Sequence, residues 1–334
     1  MEETKDIFDV TIIGGGTTGM FVSFYSGMRD MKTKLIESNQ QLGGKVAQFF
    51  PEKLIYDVGG IPEISGDHLV DQMQEQSTKH HPTVLTGTLI EEIVKDEDNL
   101  FILTSSQGKK HYSKSVIVTT GMGSFDVIGP VVENADLYEQ TSWHYSLRRS
   151  EKFKGKKVMI TSNNRVGVDW ALTLESVADT VYLINDGAKF QHASENELAR
   201  LASSSIQTKT TSEIIQVNGK NGYINEVTIR NKGGLNESIV VDDMLVYNGI
   251  KLNQTPFEKW GLKTEKGRVV VTSTMETDVE GLFVAGDATI YPGKTMLIAS
   301  GYTEGIAAVN SAKTYIDPKA SATVYSSIIY RKEK

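Results

Sequence analysis

Apolar and polar positions fall into short blocks whose periods change along the chain. Asp9-Val-Thr-Ile-Ile13 is a compact β-branched run, the pattern of a buried parallel strand. Gly14-Gly15-Gly16-Thr17-Thr18-Gly19 follows at once, and Met20 to Met28 carries small and apolar residues at helical spacing. Thr33-Lys-Leu-Ile-Glu37 predicts a second strand ending in an acid. Strand, glycine turn, helix, strand and acid within about 30 residues make a mononucleotide-binding βαβ unit. Leu42 to Lys45 and Pro51 to Gly60 are loop-rich, with little helical period. Leu85 to Phe101 to Thr104 predicts short antiparallel strands, and Ser115 to Gly121 another buried strand ending on glycine. A second βαβ unit begins near residue 157, with strand Val158–Ile160, helix Asp169–Ala178 and strand Thr180–Ile184. Its turn, Thr161 to Gly167, is not glycine-rich. Gly281 to Asp287 closes a further strand on Gly-Asp, and a helix is expected from Ile298 to Tyr315.

The first turn has a definite chemistry. Gly14 permits the tight turn, Gly16 lets a pyrophosphate approach the backbone, and Gly19 lets helix and strand pack closely. The helix N-terminus offers unpaired amides and the positive end of a dipole. Glu37 would accept from ribose hydroxyls and repel a 2′-phosphate, so the site suits the adenosine of FAD or NAD and disfavours NADP.

Composition narrows the rest. A chain of 334 residues holds about two domains of roughly 150 residues. The net charge of −7 gives no global drive toward nucleic acid. No run approaches the roughly 18–20 apolar residues of a membrane span. The charged start Met1 to Asp6 does not resemble a signal peptide, so a cytoplasmic protein is expected. Without cysteine there is no redox-active pair, iron–sulfur cluster or thiolate metal site, so redox chemistry must belong to a bound cofactor. His68, His80, His81, His111, His144 and His192 lack metal-site spacing, and no metal is expected.

Gly14-x-Gly16-x-x-Gly19, Thr119-Thr120-Gly121 and Leu282 to Asp287 resemble the flavin fingerprints of the thioredoxin-reductase superfamily. Gln41 to Gly44, Pro51-Glu52-Lys53, Asp169-Trp170-Ala171, Leu297 to Gly301 and Asp317 to Ala320 are similar to the thioredoxin-reductase-like ferredoxin–NADP⁺ reductases of bacteria. The resemblance covers nearly the whole chain. It implies an α/β fold of two Rossmann-like nucleotide-binding domains, in the three-layer ββα arrangement. An FAD domain of residues 1–121 and 253–334 would be interrupted by an NADPH-type domain of residues 122–252. It also implies a homodimer, a ferredoxin- or flavodoxin-like partner, and FAD stacked between Phe50 and Tyr325 of a C-terminal extension, with Ser326 and Ser327 near the reactive edge. Gly14, Gly16, Thr18 and Gly19 would cradle the pyrophosphate. Glu37 would take the adenosine ribose, Lys45, in place of the family's glutamine, the pyrophosphate or nearby backbone, and Ile90 the adenine through its backbone. Phe125 would lie near the isoalloxazine, and Asp287 would bind the ribityl hydroxyls or pyrophosphate.

The second nucleotide motif departs from that pattern. Ser162-Asn163-Asn164 stand where the family has three glycines, and Asn185-Asp186-Gly187 where it has His-Arg-Arg; Gln191 replaces an arginine. Arginine forks are the usual phosphate grip, and Asp186 turns attraction into repulsion. NADPH binding is therefore expected to be weakened or lost. Three function classes stay open: a ferredoxin or flavodoxin reductase with weak nicotinamide binding, an FAD electron-transfer protein with another donor, and a non-catalytic flavin-binding interaction protein. The basic stretch Arg148 to Lys157 offers a docking face for an acidic carrier.

Overall fold

The first apolar block forms strand β1 (Ile7–Ile13), which begins two residues before Asp9, and Val10 and Ile12 within it are wholly buried. The computed structural model describes residues 5–139, 141–321 and 326. Helix α1 (Thr17–Met28) follows directly, then strand β2 (Thr33–Ile36), buried at every position. β1 pairs in parallel with β2, Val10 opposite Thr33, and on its other side with Lys110–Val118, Ile7 opposite Tyr112. The sheet runs in the order Thr83–Leu85, β2, β1, Lys110–Val118, Phe101–Ser105, Ile90–Lys95. Leu282–Val284 joins Lys110–Val118 in parallel at Val116 to Val118, beyond the stretch paired with Phe101–Ser105. α1 packs on the C-terminal helix Ile298–Ile316 and on the helix Gly66–Ser77.

The chain divides into two units, Met1–Ser124 with Asn253–Lys334, and Phe125–Leu252. The second unit carries its own parallel sheet: Trp143–His144, Asp243–Val246, Lys157–Thr161, Thr180–Ile184, Gln207–Lys209. An antiparallel sheet of Ser212–Lys220, Tyr223–Asn231 and Asn236–Val240 shares its core, through Met159, Val217, Val227, Ile239 and Met244.

Three segments differ from the sequence reading. A helix, α2 (Gly44–Phe49), starts within the loop-rich stretch Leu42 to Lys45 and runs through residues to which the pattern assigns no element; six residues are too few turns to show a 3.6-residue period. Thr83–Leu85 extends the parallel sheet beside β2 rather than joining an antiparallel pair. The second unit's helix spans Arg165–Leu174, beginning four residues earlier than predicted because Asn164 caps it.

Candidate functional site

The glycine turn of the first unit is held open by bonds that its own sequence supplies. Gly14 N–H donates to Ile36 O (2.8 Å), and Gly43 N–H to Gly15 O (2.8 Å). Gly15 N–H donates to Glu37 Oε2 at 2.6 Å, while Glu37 Oε1 accepts from Ser38 Oγ (3.1 Å) and Asn39 N–H (2.8 Å). Glu37 is therefore a buried brace of the turn, a role its position in the sequence does not reveal. A carboxylate offers about four acceptor positions, so one is left for a ribose hydroxyl. Thr88 N–H donates to Glu37 O (2.9 Å) and brings the start of Ile90–Lys95 beside this acid; Ile90 itself is buried.

Gly16 is the N-cap of α1, with no side-chain cap and no acid in the first turn. A Cβ built on Gly16 meets only Gly44 Cα, at 3.9 Å. The helix thus presents amides and a positive dipole end to an open cradle, the chemistry that holds a phosphate. Across from Gly16, α2 starts at Gly44, and its Lys45 Nζ pairs with Asp287 Oδ2 at 2.5 Å. Asp287 lies in the single turn Gly286–Ala288. A Cβ at Gly286 would sit 2.8 Å, and at Gly301 2.3 Å, from Thr18 Oγ1. Thr18 is thus wedged between the Gly-Asp turn and the C-terminal helix. The structure brings Gly14, Gly16, Thr18, Gly19, Glu37, Lys45 and Asp287 together, and these residues fit a flavin dinucleotide: an open phosphate cradle, a carboxylate for a ribose, and a lysine–aspartate pair.

Phe50 is the C-cap that follows α2 and is 44% exposed. Its backbone is fixed: Lys53 N–H donates to Phe50 O (3.2 Å), and a Cβ at Gly66 would strike that oxygen. Lys53 Nζ stands 5.2 Å from the ring centroid. An exposed aromatic on a fixed backbone is a platform for a flat ring. Phe125 opens the second unit and is half-buried there, and Ser326 is half-buried. Tyr325 and Ser327 lie outside the described residues.

The corresponding helix end of the second unit is built in the opposite sense. Ser162 N–H donates to Ile184 O (2.9 Å) as Gly14 does to Ile36, and Asn185 N–H donates to Lys209 O (2.9 Å) as Glu37 does to Leu85. Asn185, rather than Asp186, therefore occupies the place of Glu37. Its Oδ1 accepts from Gly187 N–H (2.7 Å), and Asp186 is exposed. At the helix N-terminus, Val166 N–H donates to Asn164 Oδ1 (3.0 Å) and Arg165 N–H to Gln191 O (2.8 Å). Gln191 N–H returns to Asn163 O (2.8 Å). Two amides that would face a pyrophosphate are already satisfied by the chain. Arg165, the nearby cation, is tied to Glu197 at 2.8 Å. Glu197 is held down to about 2, first by the Ser194 backbone bond and then by the Ser194 side chain. Asn164 as a cap and Gln191 as a strap are functional features the sequence reading missed; Asn four residues before Val168 is a weak cap signal, and nothing local marks Gln191.

Residues 8–312 match the family described as pyridine nucleotide-disulphide oxidoreductase. The chain is 39% identical over 333 residues to ferredoxin–NADP reductase 1 of Bacillus velezensis, covering 99% of both chains. It is 41% identical over 323 residues to ferredoxin–NADP reductase 2 of Shouchella clausii, covering 96% of this chain and 97% of that one. Among solved structures, thioredoxin reductase from Streptococcus pyogenes aligns with TM-score 0.57 at 19% identity, over 94% of this chain and 100% of the other. Thioredoxin reductase of T. acidophilum aligns with TM-score 0.57 at 21% identity, over 95% and 100%. The structural likeness is one of fold.

Proposed function

From the premise that the chain belongs to the pyridine nucleotide-disulphide oxidoreductases, as an oxidoreductase of ferredoxin–NADP reductase type, we propose that it passes electrons through FAD held in its first unit and uses NADPH poorly. The observation that carries this reading is the contrast between two helix ends of like topology. One is uncapped over an open glycine turn; the other is capped by Asn164 and strapped by Gln191.

In this reading Gly14, Gly16, Thr18 and Gly19 bind the pyrophosphate with the N-terminal amides of α1. Glu37 binds the adenosine ribose, the Ile90 backbone the adenine, and Lys45 and Asp287 the phosphate–ribityl side. Phe50 stacks on one face of the flavin ring and Tyr325, from an extension donated across a homodimer, on the opposite face, with Ser326 and Ser327 near the reactive edge and Phe125 near the isoalloxazine. When bound, FAD supplies the electron storage that a chain without cysteine lacks. The acceptor is a ferredoxin- or flavodoxin-like carrier, docking at the basic stretch Arg148 to Lys157, in the cytoplasm. A second unit that sets exposed Asp186 where a 2′-phosphate would bind leaves room for another reductant.

Purified protein is expected to be yellow and to release FAD, not FMN, on denaturation, read by chromatography of the supernatant. A colourless protein that takes up no FAD on titration would defeat the reading. Phe50→Ala is expected to raise the fluorescence of bound flavin and weaken FAD about two- to tenfold, from an aromatic contact of about 0.5–1.5 kcal/mol. Unchanged fluorescence and affinity would remove Phe50 from the site.

A further inference from the structure

Glu304, in the C-terminal helix Ile298–Ile316, and Lys294, in the segment before that helix, form an ion pair at 2.6 Å, their side chains 3% and 7% exposed. Three donors converge on this one carboxylate. Lys294 Nζ (2.6 Å) and Tyr291 OH (2.6 Å) reach Oε1, and Gly286 N–H (2.7 Å) reaches Oε2. Burial first, and then the bond to Glu304, push the Tyr291 hydroxyl up to about 12, so it remains a donor at any working pH.

Burying two charges is costly, and well-packed apolar side chains often hold two elements together at least as well. The pair therefore calls for a reason beyond packing. Its second oxygen reaches Gly286, which sits at φ +78° and directly precedes Asp287. Asp287 has its own cation in Lys45. The Gly-Asp turn is thus flanked by two carboxylates, each matched to a lysine, beside a cradle that a dianionic pyrophosphate would fill. Without both lysines the cradle would repel that group.

We propose that Glu304 is a positioning residue for the flavin dinucleotide, its carboxylate held in place by Lys294 so that it fixes Gly286 and thereby the bearing of Asp287 on the cofactor. The proposal rests on the reading that the first unit binds FAD. Its test uses the holoprotein and two variants, Glu304→Gln with Lys294→Met together, and Tyr291→Phe alone. Measured are the rate of FAD release on dilution, the visible circular dichroism of the bound flavin, and far-UV melting in saturating FAD. The double variant removes both charges, so its melting temperature is expected to stay within roughly 5 °C of wild type, while FAD release speeds up at least tenfold and the visible dichroism changes. Tyr291→Phe is expected to release FAD about threefold faster at unchanged melting temperature. Release and dichroism equal to wild type in both variants, whatever the melting temperature does, would overturn the proposal alone. Should the double variant not fold, Tyr291→Phe decides by the same two readouts. Wild-type protein that takes up no FAD would instead overturn the reading beneath the proposal, and the proposal with it.

Discussion

Gly16→Val is expected to give a protein that folds like its parent and carries no flavin. The backbone at Gly16, φ −70° and ψ −174°, is extended and open to any residue. A Cβ there has no neighbour nearer than Gly44 Cα at 3.9 Å, so the chain itself tolerates the side chain. The space it takes is the cradle over the α1 amides, where a pyrophosphate must approach the backbone. Gly19→Ala makes the contrasting case. Its Cβ would fall 1.8 Å from Gly14 O, in the packing of helix on strand, and the fold itself must shift. Overpacking of that kind costs about 1–3 kcal/mol or more. Absorbance at the flavin band and far-UV melting separate the two: Gly16→Val should lose colour and keep its melting curve without flavin, Gly19→Ala should lose both. A yellow Gly16→Val with parental FAD content would show that the dinucleotide lies elsewhere.

Anaerobic mixing with NADPH is expected to bleach the flavin slowly, with affinity tens of times below that of a relative with three glycines in the second turn. The Asn164 cap and the Gln191 strap occupy Val166 and Arg165 N–H, so a pyrophosphate must break bonds already made. The 2′-phosphate would meet exposed Asp186 in place of a guanidinium. One lost charge-assisted contact costs about 1.5–3 kcal/mol, and about 1.4 kcal/mol is tenfold in affinity. NADH escapes the repulsion by Asp186 and should suffer less. Ser162→Gly, Asn163→Gly and Asn164→Gly combined with Asp186→Arg and Gly187→Arg should recover part of the NADPH reduction. Gly167→Ala belongs in the same variant, because a Cβ at Gly167 lies 2.1 Å from Ser162 Cβ and fills the space that Ser162→Gly vacates. Asparagine to glycine at an N-cap costs only a few tenths of a kcal/mol, so the helix should survive. Rapid, saturable bleaching of the unmodified protein by micromolar NADPH would reject the weakened site.

Read without coordinates, the chain already discloses both βαβ units, the open turn from Gly14 to Gly19 and the acid at Glu37, because each is local: a β-branched run, a glycine turn and an acid stand within one short stretch. The missing cysteine and the substituted second motif are equally plain, since they need only identity and position. Helix α2 was illegible because six residues hold too little period. What only the tertiary structure decided is which polar groups meet. Lys45 and Asp287 stand 242 residues apart in the chain and 2.5 Å apart in space; Gly286 finds Glu304, and Gly15 finds Glu37. Asn163 and Arg165 meet Gln191 only because strand Thr180–Ile184 returns beside Lys157–Thr161. Hydrophobic period carries the fold, since burial acts on whole faces of elements. A hydrogen bond depends on the direction of single groups, and that is settled only once the chain has closed on itself.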